Sequence, residues 1–365
     1  MTTAISQSHQ NDLPLLPGRL GNPDQVMKTD PRTDPRLVDA CSPFKLDVAL
    51  PPIPVNADSP LPEKLDFCAG SEAGMATVFA ALCADLPAMP NIERRTEVIK
   101  GVDGNDINLY IHTPQNASGP LPCVYHMHGG GMVILTADDP SYRRWRDELA
   151  AIGLVAVGVE FRNGAGKLGN HPFPAGLNDC TSGLQWVFDN RAGLGVSKII
   201  ASGESGGGNL ALATCLQAKQ DGRLEQIAGV YALCPYIYGE WAQPSQELRS
   251  LYENDNYLIN CRQMEVLASV YDPEGKNAKN PLCWPYWATG EDLQGLPPHV
   301  ISVNELDPLR DEGLVHYQRL MAAGVPVYSR TVNGTCHAAD VLFPKAIPDV
   351  YAATVRDIKG FADSL

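Results

Sequence analysis

The residues best suited to chemistry stand in Gly203-Glu204-Ser205-Gly206-Gly207, where an apolar run breaks into glycines around one serine and a helical pattern follows. This is the G-x-S-x-G spacing of a serine on a sharp strand-to-helix turn. Such a turn strains the serine backbone, its glycines let strand and helix close up, and the helix aims N–H groups and its positive dipole end at whatever sits over the hydroxyl. A serine hydroxyl is a weak nucleophile at neutral pH. Acyl transfer through it needs a base to take its proton, an acid to orient that base, and donors for the oxyanion that forms.

Candidates for each role follow in order along the chain. Upstream, His128-Gly129-Gly130-Gly131 ends a strand-like run, and glycines there free backbone N–H groups to point into a cavity. The expected oxyanion donors are the N–H groups of Gly129, Gly130 and Gly206. Downstream, the run 299–303 leads into Glu305, Asp307, Asp311 and Glu312. Asp311 and Glu312 fall in the first turn of the next helix, where the dipole alone favours acids. Asp307, in the loop before Pro308, is the better orienting acid, with Glu305 as its substitute. His337 comes last, after the run 325–332, in the chain order Ser, Asp, His. His9, His112, His171, His299 and His316 have no comparable position. His126 and His128 lack a third ligand, so no metal is expected, and the chemistry requires no organic cofactor.

These residues need a scaffold that gathers strand ends. Residues 97–111 read as a hairpin around the turn 103–106. From 121 onward, β-rich runs at 123–126, 154–159, 198–201, 227–233, 299–303 and 325–330 alternate with helical patterns at 141–152, 175–190, after Ser205, at 310–323 and at 349–361. That alternation predicts an α/β fold with a mostly parallel sheet covered by helices on both faces. It breaks between 236 and 296, an aromatic, Pro-rich interval with a helix at 263–271 and no clear strand, which reads as a mainly helical cap. Residues 1–60 read as an irregular arm, followed by a helix over 71–85. The expected division is 1–95 as arm and part of the cap, 96–236 as the first part of the core, 237–296 as the cap insertion, and 297–365 as the rest of the core. Tyr236, Trp241, Trp284 and Trp287 either receive the substrate or pack inside the cap.

Composition narrows the partners. A chain of 365 residues that is 44% hydrophobic can bury a sizeable core. A formal charge of −14 argues against nucleic acid and anionic membranes. Ten cysteines without a C-x-x-C pair fit buried free thiols in a reducing compartment. The first twenty residues lack the apolar core of a signal peptide, and no run of eighteen apolar residues occurs. The expectation is a soluble cytoplasmic protein acting on a small molecule, with assembly into a homodimer left open.

Four ordered segments carry a resemblance: His128-Gly-Gly-Gly-Met132, Phe161-Arg162 through Pro172-Phe-Pro-Ala175 to Asp179, Gly203-Glu-Ser-Gly-Gly-Gly-Asn209, and Asp307-Pro-Leu-Arg-Asp-Glu-Gly313. Together they resemble the hormone-sensitive-lipase family of α/β-hydrolase carboxylesterases. The likeness runs from residue 98 to the C-terminus. Glu204 with its extra glycines, and Asn304-Glu-Leu-Asp307, are more similar to the bacterial brefeldin A esterase branch than to the commoner form with Asp and Ala beside the serine. The resemblance implies a lid built from arm and insertion, and hydrolysis of short- to medium-chain carboxylic esters through Ser205, His337 and Asp307. A lactonase or amidase would use the same residues. A non-catalytic receptor on this fold is disfavoured, because Ser205, Asp307 and His337 are all present. Glu204 is left with two readings, a structural carboxylate within the turn or a group that tunes the site.

Overall fold

The computed structural model describes residues 18–241 and 244–365; His9 and the remainder of 1–17 lie outside the described residues. Helix α1 (Pro35–Cys41) is capped by Asp34, whose carboxylate accepts the Arg36 N–H. Helix α2 (Leu61–Cys83) starts at 61 rather than the expected 71, with Pro62 and Glu63 as start signals. The buried Lys64, Cys68, Glu72 and Leu82 and the cavity-lining Phe67, Met75, Val78 and Phe79 share one broad face, and the apolar period of the helix is blurred because Ala69, Gly70, Ala73, Ala76 and Ala80 occupy the opposite side.

The expected hairpin is β1 (Ile92–Lys100) and β2 (Asp106–Pro114), paired antiparallel. Strand β3 (Leu121–Met127), helix α3 (Pro140–Ala151), β4 (Val155–Val159), α4 (Ala175–Asp189), β5 (Val196–Glu204), α5 (Gly206–Gln220) and β6 (Gly229–Leu233) then alternate. The insertion supplies α6 (Ser250–Glu253), α7 (Cys261–Tyr271) and α8 (Gly290–Leu293). The chain closes with β7 (His299–Asn304), α9 (Arg310–Ala322), β8 (Val327–Val332), α10 (Ala339–Leu342) and α11 (Pro348–Ser364).

All eight strands form one sheet in the order β1-β2-β4-β3-β5-β6-β7-β8. Strand β2 is antiparallel to β4, and every pairing from β4 to β8 is parallel. Strands β4 and β6 are buried along their whole length, which is why they read as unbroken apolar runs. The edge strand β1 carries Glu93, Arg94, Arg95, Glu97 and Lys100, charges that discourage pairing with another sheet. The parallel strands bring their C-terminal ends to one rim, where the loops after β3, β5, β7 and β8 meet.

Helix α2 is fastened above that rim. Buried Glu72 accepts the N–H of Leu135 on one oxygen at 2.8 Å and that of Lys167 on the other at 2.9 Å. Lys64 Nζ donates to the Ala57 carbonyl at 3.0 Å and to Ser269 Oγ of α7 at 3.1 Å. All ten cysteines are unpaired. No helix among the described residues is long and apolar enough to cross a membrane.

Candidate active site

Ser205 links β5 to α5 with φ 57° and ψ −120°, a left-handed backbone that costs a non-glycine residue about 1–3 kcal/mol. The surroundings hold it there. Its N–H donates to Leu233 O at 3.0 Å, and its carbonyl accepts from Asn209 N and Tyr236 N. A Cβ at Gly207 would sit 1.9 Å from Met127 O, so only glycine lets α5 pack against the end of β3. Asn209 on α5 donates through Nδ2 to the carbonyls of Tyr236 and Cys283, tying the turn to the insertion.

The glycine loop after β3 is shaped by two buried side chains. His128 stacks on Phe161 with ring centroids 4.2 Å apart, and burial pushes its pKa down to about 3, so the ring is neutral. Its Nδ1–H donates to Gly129 O at 2.8 Å. Glu204, beside the serine and 1% exposed, accepts the Gly129 N–H at 2.5 Å and faces His126 Nε2 at 2.8 Å. A carboxylate accepts, so His126 Nε2 carries a proton. The Tyr142 phenol lies against the same carboxylate, and burial with that charge pushes its pKa well up.

This corrects one expected donor. Gly129 cannot serve the oxyanion, because its N–H is spent on Glu204. The N–H groups of Gly130, Gly131 and Gly206 make no hydrogen bond among the described residues. Gly130 and Gly131 hold φ 95° and 63°, and a Cβ on Gly206 would lie 2.7 Å from Gly131 N, so these donors are neighbours. Glu204 answers to its structural reading: it fixes the loop to the turn.

His337 and Asp307 meet from the loops after β8 and β7. His337 Nδ1 lies 2.7 Å from Asp307 Oδ2, and the other Asp307 oxygen accepts Leu309 N at 2.9 Å. Asp307 is fully buried. The two loops are stitched by Asn304, which donates to Thr335 Oγ1 and Asp340 Oδ1 and accepts Ala338 N. Asn254 of the insertion donates to the carbonyls of Glu305 and Asp307. The other acids are engaged elsewhere. Glu305 accepts Gly334 N, Asp311 accepts Ser250 N, and Glu312 accepts Ile237 N. With Nδ1–H given to Asp307, the Nε2 of His337 remains as the basic nitrogen of the ring, in the cavity that Ser205 also lines.

Ligating atoms of Cys234, Asp307 and His337 lie within 4.8 Å of one another. Burial and nearby carboxylates push the Cys234 thiol far up, so it stays protonated, and the other two are bonded to each other. That donor set suits proton transfer better than a cation.

The cavity over Ser205 measures about 350 Å³ and includes Gly129, Gly130, Gly131, Glu204 and His337 in its lining, a volume within the usual small-molecule range. Its walls are hydrocarbon: Phe67, Met75, Val78 and Phe79 of α2, Leu46 to Ile53 before it, Met264 and Leu267 of α7, and Phe343. None of Tyr236, Trp241, Trp284 and Trp287 lines it, which corrects the reading that they receive the substrate. Tyr236 donates to Met264 O and packs against Trp241 and Trp284, each with centroids 5.4 Å away. Trp287 donates to Tyr238 O and lies under Lys279. With no strand among its described residues, the insertion packs these rings into a core, and the turn 285–287 lies against α5 and α9. The sequence reading missed the cavity stripe of α2, although its spacing at 67, 71, 74, 75, 78 and 79 marks one helix face.

Known proteins match this architecture. A family model described as the alpha/beta hydrolase fold covers residues 124–341. An arylesterase of Saccharolobus solfataricus is 31% identical over 262 residues, spanning 70% of this chain and 80% of that protein. The carboxylesterase NlhH of Mycobacterium tuberculosis is 31% identical over 281 residues, spanning 75% and 83%. Among solved structures, brefeldin A esterase, titled a bacterial homologue of human hormone-sensitive lipase, is 46% identical with a TM-score of 0.92, covering 95% of this chain and 98% of that one. Esterase Est22 is 36% identical with a TM-score of 0.82, covering 93% and 99%. With one eight-stranded sheet and a serine turn, glycine loop and His–Asp pair at its rim, the chain belongs to the α/β-hydrolase fold family, in the hormone-sensitive-lipase group.

Proposed function

We propose that the protein is a serine carboxylesterase that hydrolyses short- to medium-chain carboxylic esters through Ser205, His337 and Asp307. The observation that carries the reading is the 2.7 Å bond between His337 and Asp307, in a cavity whose lining also includes Ser205. His337 Nε2 takes the serine proton as Oγ attacks the ester carbonyl, and Asp307 stabilises the imidazolium that forms. The N–H groups of Gly130, Gly131 and Gly206 receive the oxyanion, a single such donor being worth about 3–4 kcal/mol in the transition state. His337 then returns the proton to the leaving alcohol. Water, activated by the same nitrogen, hydrolyses the acyl-enzyme and restores Ser205. The hydrocarbon walls supply the burial that draws in an acyl or alkyl chain, about 0.8 kcal/mol per methylene.

In this reading 1–95 and 237–296 serve as the lid and 96–236 with 297–365 as the catalytic core. Cytoplasmic residence belongs to the same proposal, supported by ten unpaired cysteines. Homodimer formation is read by light scattering.

The test is turnover of p-nitrophenyl butanoate and covalent labelling by an organophosphate. Wild type should hydrolyse the ester and gain one phosphoryl group on Ser205 with loss of the reagent's leaving group, and folded Ser205→Ala should do neither. A Ser205→Ala protein that keeps the wild-type rate would sink the proposal.

A further inference from the structure

Among the described residues, the Gln263 carboxamide stands in the hydrocarbon part of the cavity without a hydrogen-bond partner. Gln263 opens α7, where its backbone N–H is capped by Asn260 Oδ1 at 2.7 Å. The residue is 9% exposed and lines the cavity, yet its carboxamide makes no hydrogen bond among the described residues. A carboxamide that opens onto the cavity can be matched there by an oxygen function of a bound molecule, whereas a helix that needed only a wall would be served by a hydrocarbon at this position. The neighbouring wall is mostly hydrocarbon, with Leu258, Ile259, Met264 and Leu267 around Asn260, whose oxygen is occupied in capping the helix.

Its distance from the reacting centre follows from helix geometry. Leu267 is one turn further along α7 and abuts the glycine loop, since a Cβ on Gly131 would meet Leu267 Cδ1 at 2.8 Å. Residues four apart share a face and are separated by about 6 Å along the axis. Lining the same cavity, Gln263 therefore stands one helical turn from the residue that abuts the loop of donors proposed for the oxyanion. A substrate atom that reaches it is a few bonds from the scissile carbonyl.

We propose that Gln263 determines specificity, its carboxamide hydrogen-bonding a keto or hydroxyl oxygen that the substrate carries a short hydrocarbon spacer away from the ester. The preferred class is then apolar esters with one internal oxygen function, rather than plain alkyl esters. This rests on the esterase reading. An amide suits the task because it both donates and accepts, and a site built around a buried hydrogen bond rejects the analogue that lacks it more strongly than an apolar wall rejects a missing methylene.

The experiment compares matched esters in wild type and Gln263→Leu. One pair varies the acyl chain, p-nitrophenyl hexanoate against p-nitrophenyl 5-oxohexanoate. The other varies the alcohol, hexyl hexanoate against 5-oxohexyl hexanoate. The readout is the ratio of kcat/KM for the keto ester to that for its alkyl partner. Each ratio is taken within one enzyme preparation, so a partly folded variant does not distort it, and Gln263→Met serves if the leucine variant does not fold. The ratio should fall about tenfold on substitution in at least one pair, equivalent to about 1.4 kcal/mol. Ratios unchanged in both pairs overturn the proposal while leaving the esterase intact. Failure of wild type to hydrolyse any of the four esters overturns the esterase reading and this inference with it.

Discussion

The carboxylate of Glu204 accepts the backbone N–H of Gly129 at 2.5 Å, so the residue next to the nucleophile holds the loop that faces it. Removing that carboxylate leaves a buried donor unmatched, at a cost of about 1–3 kcal/mol, and releases the neighbouring N–H groups from their geometry. Glu204→Ala should lower kcat about 10- to 100-fold, with a smaller change in KM, since misplacement on the ångström scale costs about that much. Glu204→Gln keeps an acceptor for Gly129 and should recover part of the loss. Wild-type kcat in folded Glu204→Ala would refute the positioning role.

The two acids after β7 separate cleanly. Asp307→Asn should reduce kcat by about 10⁴-fold, because the amide no longer favours the required tautomer of His337. Glu305, bonded to Gly334 N, should lose less than about tenfold on change to alanine, the scale of one ordinary hydrogen bond. Equal losses in the two variants would reopen the choice of acid.

Stability should fall on mild acidification. Burial pushes His128, His299 and His316 down to about 3, 4 and 3, against about 6.5 in an unfolded chain. Below pH 6.5 the unfolded chain binds protons that the folded chain refuses, so their contribution is complete above that pH and is lost progressively towards pH 3. Each ring adds a slope of up to about 1.4 kcal/mol per pH unit. Urea unfolding at pH 7, 6 and 5 should show this decline, and a flat profile would contradict the buried neutral rings.

Cavity and insertion core should respond differently to mutation. Gly74 lines the cavity, and a Cβ there meets nothing within 4 Å. Gly74→Leu should cut kcat/KM for p-nitrophenyl decanoate at least about tenfold relative to the acetate, as several methylenes lose their burial. Trp284, 1% exposed and outside this cavity, should cost about 3–5 kcal/mol of stability when changed to alanine. It should leave the chain-length order as it was. A chain-length profile that follows Trp284 instead would return the aromatics to the substrate site.

Much of this was legible in the sequence because strand ends are marked by local signals. The alternation of apolar runs and helices led to the mostly parallel sheet, and glycines, a proline and chain order picked out Ser205, Asp307 and His337, which the fold brings to one rim. What stayed hidden depends on contacts between distant segments. Which glycine N–H is free is decided by Glu204, 75 residues from Gly129. Whether Trp284 and Trp287 face substrate or protein depends on how the insertion closes its core, and an aromatic composition serves either end. Helix α2 began early, at the start signals Pro62 and Glu63, and its cavity-facing stripe was masked because alanines and a glycine on the opposite side flatten the apolar contrast by which a helix face is read.

The grip of Glu72 on Leu135 and Lys167, with that of Lys64 on Ser269, has a consequence for traffic through the site. Helix α2 is bolted to the glycine-loop segment at one point and to α7 at another, so it is a fixed rafter rather than a swinging door. Entry and exit are then expected at the stretch 48–55 ahead of it, which makes no hydrogen bond among the described residues and where Leu50 and Ile53 border the cavity. Shortening that stretch would change how fast product leaves while the catalytic furniture stayed where it is.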